Sequence, residues 1–316
     1  PDWSSIQQYL HTGYSTGNAT FYKSIFQTRP NIRLAISLDK PKITISSRGS
    51  SVVDKSRSST QDLLDSICEA LVHRLETTCP SVLMMSAGWD SRTLLIRSNE
   101  SIRGCYSHGD LASREISIAR ELSGSKRLNH HFIDINNCTL DTALIDEMLS
   151  ELGYGVFPIW YIASKKIADW ESVPLMSGVL GELLGSHYGI MAIGSRLQKM
   201  FHSLSFFSDS LISDNQIISA INQFAAPPQN HWFTSSAGQS TLNQHSQQTQ
   251  DRTLEVIDEQ RKISGNWQRA LEDFTMEHRA RQYIMKQPQA ASSSVGYTIP
   301  FADEQLTDLV RALDFN

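Results

Sequence analysis

Between residues 61 and 77 the apolar side chains Leu63, Leu64, Ile67, Leu71 and Leu75 recur three or four positions apart, the spacing of one face of an α-helix. The period then changes. Residues 81–85 form a short apolar run that predicts a buried strand, broken by Ser86-Ala87-Gly88-Trp89-Asp90-Ser91, after which Thr93, Leu94 and Leu95 resume helical spacing. The order repeats downstream. Residues 101–106 predict a strand, 113–122 a helix with Ile116, Ala119 and Leu122 on one face, and 131–135 a further strand. Helices over 140–152 and 161–170 and a short strand over 173–176 follow. Alternating strand and helix predicts an α/β fold, a parallel sheet of about five strands with helices on both faces. Ligands of such sheets bind outside the carboxyl ends of the strands.

The flanks have a different texture. The first 45 residues hold two β-rich pieces, 32–38 and 42–46, that predict a small hairpin, and the serine-dominated stretch 46–60 predicts a linker or exposed loop. Residues 1–60 are therefore expected to be an opening segment and linker, with one domain over 61–316 and a helical carboxyl-terminal part. Within it, residues 234–250 are rich in Ser, Gln and Asn and predict a mobile loop, 254–281 one or two helices, and 304–313 a final short helix. No repeat of 20–50 residues is present.

Composition narrows the function classes. With 316 residues the chain can bury a core without disulfides or metals. The net charge of -5 and pI near 6.1 argue against a field for gripping nucleic acid. No apolar run approaches the roughly 18 residues of a membrane span. Cys68, Cys79, Cys105 and Cys138 match no zinc-ribbon or thioredoxin spacing, which favours a reducing, cytoplasmic setting. The chain opens at Pro1 with neither an initiator Met nor a basic-then-apolar leader, so processing or excision from a longer polypeptide is expected.

The chemistry centres on 86–91. Between a buried strand and a helix start, Ser86, Ala87, Gly88 and Ser91 present backbone N–H groups and hydroxyls to one spot, with side chains small enough for a phosphate to approach. The helix dipole favours the phosphate's charge, and Asp90 is placed to hold a neutralising magnesium; a tight turn capped by Asp90 is the plainer alternative.

This segment, SAGWDSRTLL, resembles the SGGxDS pyrophosphate loop of the asparagine synthetase family, whose relatives include β-lactam synthetase and the lasso-peptide cyclases. The downstream segment from Ser177-Gly178 through Gly181-Glu182 to Gly185, His187 and Tyr188 is similar to that family's SGxGGDELFGGY. The stretch around Glu115, His130 and His131, the Pro300-Phe301-Ala302-Asp303 tail, similar to PFLD, and the first 26 residues agree in order. The resemblance implies a PP-loop (adenine nucleotide alpha hydrolase-like) fold and an ATP-dependent ligase that adenylates a carboxylate, releases pyrophosphate and transfers ammonia or an amine. It places Ser86, Ala87, Gly88 and Ser91 on the pyrophosphate, Asp90 and Glu182 on Mg2+ as the catalytic carboxylates, and Ser177 and Gly178 on the nucleotide or acyl-adenylate. Met84, Cys105 and Tyr106, together with Met85, fall where the family seats adenine, although plain core packing is the favoured reading for each.

Departures shape the expectation. Val179 stands where asparagine synthetases carry a glutamate, Glu182 replaces the usual aspartate, and Gly296 and Thr298 stand where the family has charged residues. These leave a specialised small-molecule or peptide carboxylate about as well supported as asparagine biosynthesis. The glutaminase cysteine is absent, which implies a separate glutaminase or another ammonia source. An intramolecular amide-forming cyclase and a non-catalytic ATP-binding module are the alternatives. The family's assisting lysine has no counterpart by position; Lys165, Lys166 and Lys286 each read as solvated helical charges. His130 and His131, adjacent on a strand, face opposite ways and share no metal. His187 is equally well a substrate contact or a structural histidine.

Overall fold

The computed structural model describes residues 1–30, 32–37, 39, 43–47, 59–98, 100–170, 172–185, 213–222, 240, 244–265 and 267–313. The chain divides into two compact units, one of residues 1–50, 186–283 and 315–316, the other of residues 51–185 and 284–314.

The second unit is the α/β part. It runs α1 (Thr60–Glu76), β1 (Ser81–Met84), α2 (Trp89–Arg97), β2 (Ile102–Gly109), α3 (Arg114–Ser125), β3 (Asn129–Asp134), α4 (Thr142–Leu152), α5 (Pro158–Ala168) and β4 (Leu175–Met176). After residue 283 come α6 (Lys286–Ala291), β5 (Tyr297–Thr298) and α7 (Glu304–Ala312). The strands form one parallel sheet in the order β3-β2-β1-β4-β5. Both faces are covered. Val82, Met84, Tyr106, Ile133 and Leu175 pack on Ala163 and Ile167 of α5 and Ala291 of α6. On the opposite face the Cys105 thiol meets Ser123 of α3, and burial pushes that thiol up. Strands buried on both sides explain the unbroken apolar runs read from the sequence.

Local chemistry sets the helix ends. Ser59 and Asp62 close a reciprocal capping box at the start of α1. Asp141 caps α4, and the left-handed Gly153 stops it. Asp303 caps α7 by accepting the Leu306 N–H at 3.1 Å.

The first unit is helical, with a small hairpin. Helix Trp3–Thr12 lies against helix Ser246–Ser264, joined by Ser4 to Gln248 at 2.7 Å and Arg252 to Asp2 at 3.3 Å. Its core gathers Tyr14, Ile217, Ile257, Trp267, Leu271 and Phe274. Strands Ile32–Ile36 and Ile43–Ser47 pair antiparallel as expected.

The structure corrects the expectation at 234–250. Residues 246–250 are the first turn of the helix Ser246–Ser264, not a loop, because Gln248 and Arg252 find partners at the amino-terminal helix; 234–239 and 241–243 lie outside the described residues, as do 48–58 of the expected linker. Among the described residues no helix is long and apolar enough to cross a membrane.

Candidate functional site

From β1 the chain steps to β2 and β3 on one side of the sheet and only later adds β4 and β5 on the other. Such a reversal leaves a crevice at the carboxyl ends of the two strands that flank it, the usual ligand position of doubly wound folds. Leu83 of β1 pairs with Met176 of β4, so the segments that follow, from Met85 and from Ser177, emerge side by side.

The first segment is a turn held by its own hydroxyls. The Ser86 N–H donates to Ser91 Oγ at 3.2 Å, the two hydroxyls lie 3.0 Å apart, and the Gly88 N–H donates to Ser86 Oγ at 3.1 Å. Arg92 ties the outer side by donating to the carbonyls of Ala87 at 2.6 Å and Gly88 at 3.3 Å. Gly88 is the N-cap of α2 and supplies no side-chain acceptor, so α2 begins without a side-chain cap, at the kind of helix end where anions bind. Trp89 stands outside, 77% exposed, with the Arg92 guanidinium 4.4 Å over its ring.

The second segment interlocks with the first. Ser177 donates its N–H to Thr298 O at 2.9 Å, and its hydroxyl accepts the Val179 N–H at 3.2 Å. A Cβ added to Gly178 would lie 3.0 Å from the Ser91 nitrogen, and one added to Gly181 would lie 2.3 Å from Asp90 Cγ. Asp90 therefore sits directly against the Gly181 backbone. Glu182 follows, with a buried Oε2 that has no hydrogen-bond partner among the described residues.

These groups fit a magnesium-bound phosphate. Small residues line the turn, Asp90 abuts the residue that precedes Glu182, and Glu182 Oε2 is buried and unmatched among the described residues. Among the described residues no three His, Cys, Asp or Glu side chains gather into a metal cluster. A cation held by two carboxylates would take its other ligands from phosphate and water, which is how magnesium is usually bound.

Three of the predicted residues are packed in the core. Met84 and Tyr106 belong to the core on the α5 side and Cys105 is buried on the other, so core packing occupies all three side chains. Ser107, not singled out from the sequence, bridges strands, donating to Met85 O at 2.5 Å while its Oγ lies 3.0 Å from His130 Nε2. Burial first, then Arg120 and His131, holds His130 below the usual imidazole range. His131 instead stacks on Trp170 at 4.8 Å. At the end of β2, His108 Nδ1 lies 2.6 Å from the Tyr106 hydroxyl, and burial lowers its pKa to about 4, so the imidazole is neutral at pH 7. Asp303, expected from the PFLD-like tail, is occupied as a helix cap.

The lysines divide. Lys166 is exposed, and Lys165 bridges Glu147 at 2.5 Å and Glu151 at 3.6 Å. Lys286 is not the solvated charge expected: its ammonium lies 5.2 Å over the Tyr154 ring and burial lowers its pKa. His187 and Tyr188 lie outside the described residues.

The fold defines a class, an α/β protein with a doubly covered five-stranded parallel sheet and a serine- and glycine-containing turn at its switch point. Comparison of the chain with known protein families and with curated proteins finds no match.

Proposed function

We propose that this chain is an asparagine synthetase-like, PP-loop, ATP-dependent amide-forming ligase. The observation that carries the reading is the interlock at the switch point, where the SAGWDS turn and the SGVLGE segment, the two stretches that resemble the family's motifs, meet with Asp90 against Gly181.

In this reading a carboxylate oxygen attacks the α-phosphorus of ATP and the bond to pyrophosphate breaks. An amine nitrogen then attacks the activated acyl carbon, the C–O bond to AMP breaks, the nitrogen loses a proton, and an amide results. Ser86, Gly88 and Ser91 border the departing pyrophosphate, and their N–H groups and hydroxyls exchange the hydrogen bonds they make within the turn for bonds to it. Ser177 and Gly178 border the nucleotide or acyl-adenylate. Asp90 and Glu182 would hold magnesium, which neutralises charge developing on the phosphates. Catalysis in such a site is positioning and electrostatic stabilisation. The substrate is a small-molecule or peptide carboxylate, the ammonia comes from a separate glutaminase or is replaced by an amine, and the setting is cytoplasmic.

The test is pyrophosphate release from magnesium-ATP by the purified chain, with ammonium and a panel of carboxylates including aspartate. Carboxylate-dependent release is expected. ATP binding with no release on any carboxylate would replace the ligase reading by that of a nucleotide-binding module. Asp90→Asn keeps the shape of the side chain against Gly181 and is expected to abolish magnesium-dependent ATP binding while leaving the melting temperature nearly unchanged. Undiminished affinity in that variant would remove Asp90 from the site.

A further inference from the structure

Leu180 has a backbone that its residue type disfavours. It adopts φ 74°, the left-handed region that glycine enters freely and a side chain enters with strain. The Gly181 N–H donates to Gly178 O at 3.2 Å, so residues 178–181 form a hydrogen-bonded turn with the positive φ at its third position, where glycine or asparagine is normally found. Strain of this kind persists only where the surroundings hold the residue in place.

What holds it is apolar. Leu180 is 5% exposed and lines a seam with Leu184, Phe301, Leu306, Thr307 and Val310, the last three on α7. The turn is thus gripped on two sides. Gly178 and Gly181 lie against Ser91 and Asp90 with no room for a Cβ, while the side chain between them is clamped by the carboxyl-terminal helix.

We propose that Leu180 is a positioning residue of this site: seated in the α7 seam, it locks the 178–181 turn so that Gly181 stays against Asp90 and Glu182 keeps its buried Oε2 in place for the cation. This rests on the magnesium-nucleotide reading above. Leu180 touches no substrate and acts through Glu182 and Asp90. A glycine here would relieve the backbone and release the turn, so the more relaxed sequence is the less competent one.

Two measurements on the full chain test it. In the protein without nucleotide, Leu180→Gly is expected to speed hydrogen exchange of the Gly181 amide about tenfold, because the turn now opens locally. In titrations of ATP binding followed by Trp89 fluorescence, the half-saturating magnesium concentration is expected to rise at least about tenfold, the scale on which supports of metal ligands act. Nucleotide affinity without magnesium should not change. Leu180→Met, which keeps an apolar anchor, is expected to restore both, and Leu306→Ala, which loosens the seam from α7, to shift both in the same direction should the glycine variant fold poorly. An unchanged Gly181 exchange rate, or an unchanged magnesium midpoint in a variant whose turn is loosened, overturns the role of Leu180 while leaving the site assignment intact. Absence of magnesium-dependent ATP binding in the wild-type chain overturns the site assignment, and the proposal with it.

Discussion

Gly181 and Gly88 look alike in sequence, each a glycine within a loop motif, yet their surroundings differ in kind. A Cβ at Gly181 meets Asp90 Cγ at 2.3 Å, whereas one at Gly88 meets only the Ser86 hydroxyl at 3.1 Å, which can rotate away. Gly181→Ala is therefore expected to lower stability by about 1–3 kcal/mol, the scale of overpacking, and to weaken ATP binding, with Gly88→Ala distinctly milder. Equal effects in paired thermal melts and binding titrations would show that the two loops do not interlock. A second residue-scale prediction concerns His278, which is 3% exposed, 4.6 Å edge-on to Phe274, and without a hydrogen-bond partner on either nitrogen among the described residues. Burial, aided by Arg281 and Arg29, lowers its pKa to about 3. An unfolded histidine titrates near 6.5, so between these values the unfolded chain binds the extra proton. Stability is full above about pH 6.5 and falls as pH drops toward 3, by on the order of 3 kcal/mol at pH 4 from this group. His278→Phe should flatten that acid limb in denaturant titrations between pH 7 and 4; parallel curves for the two proteins would refute the assignment.

At the scale of elements, α1 was legible from its apolar spacing to within one residue at each end, but the cap that fixes its start was not. The helix was expected to begin near residue 61, and it begins at Thr60 because Ser59 and Asp62 satisfy each other's backbone N–H groups. Ser59→Ala is expected to cost about 1 kcal/mol and to lower the melting temperature by a few degrees, with no change in nucleotide binding. The start of the helix at 246–264, which the spacing placed only at 254, hid for the opposite reason. Its Ser- and Gln-rich sequence has the composition of a loop, and only its partners Asp2, Ser4 and Ser5, more than 240 positions away, make those side chains structural. Lys286 was misread likewise, since a lysine on a short helix looks solvated until Tyr154 is found beneath its ammonium.

For the molecule as a whole, both loops of the candidate site belong to the α/β unit. Magnesium-ATP at about a hundredfold over its dissociation constant is expected to stabilise the folded chain by about 2.7 kcal/mol, a rise in melting temperature of a few degrees. Slower hydrogen exchange should appear at the amides of residues 86–91 and 177–182, and a shift without protection there would relocate the binding site. The sequence by itself determined the α/β alternation, the strand-turn-helix at 81–97 and the small residues of the turn, because periodicity and turn chemistry are local and act within a few positions. Only the tertiary structure decided that β4 returns beside β1, that Gly181 abuts Asp90, that Leu180 is clamped by α7, and that residues 1–50 group with 186–283. Each of these joins positions that burial brings together across long stretches of chain, and no local pattern carries that information.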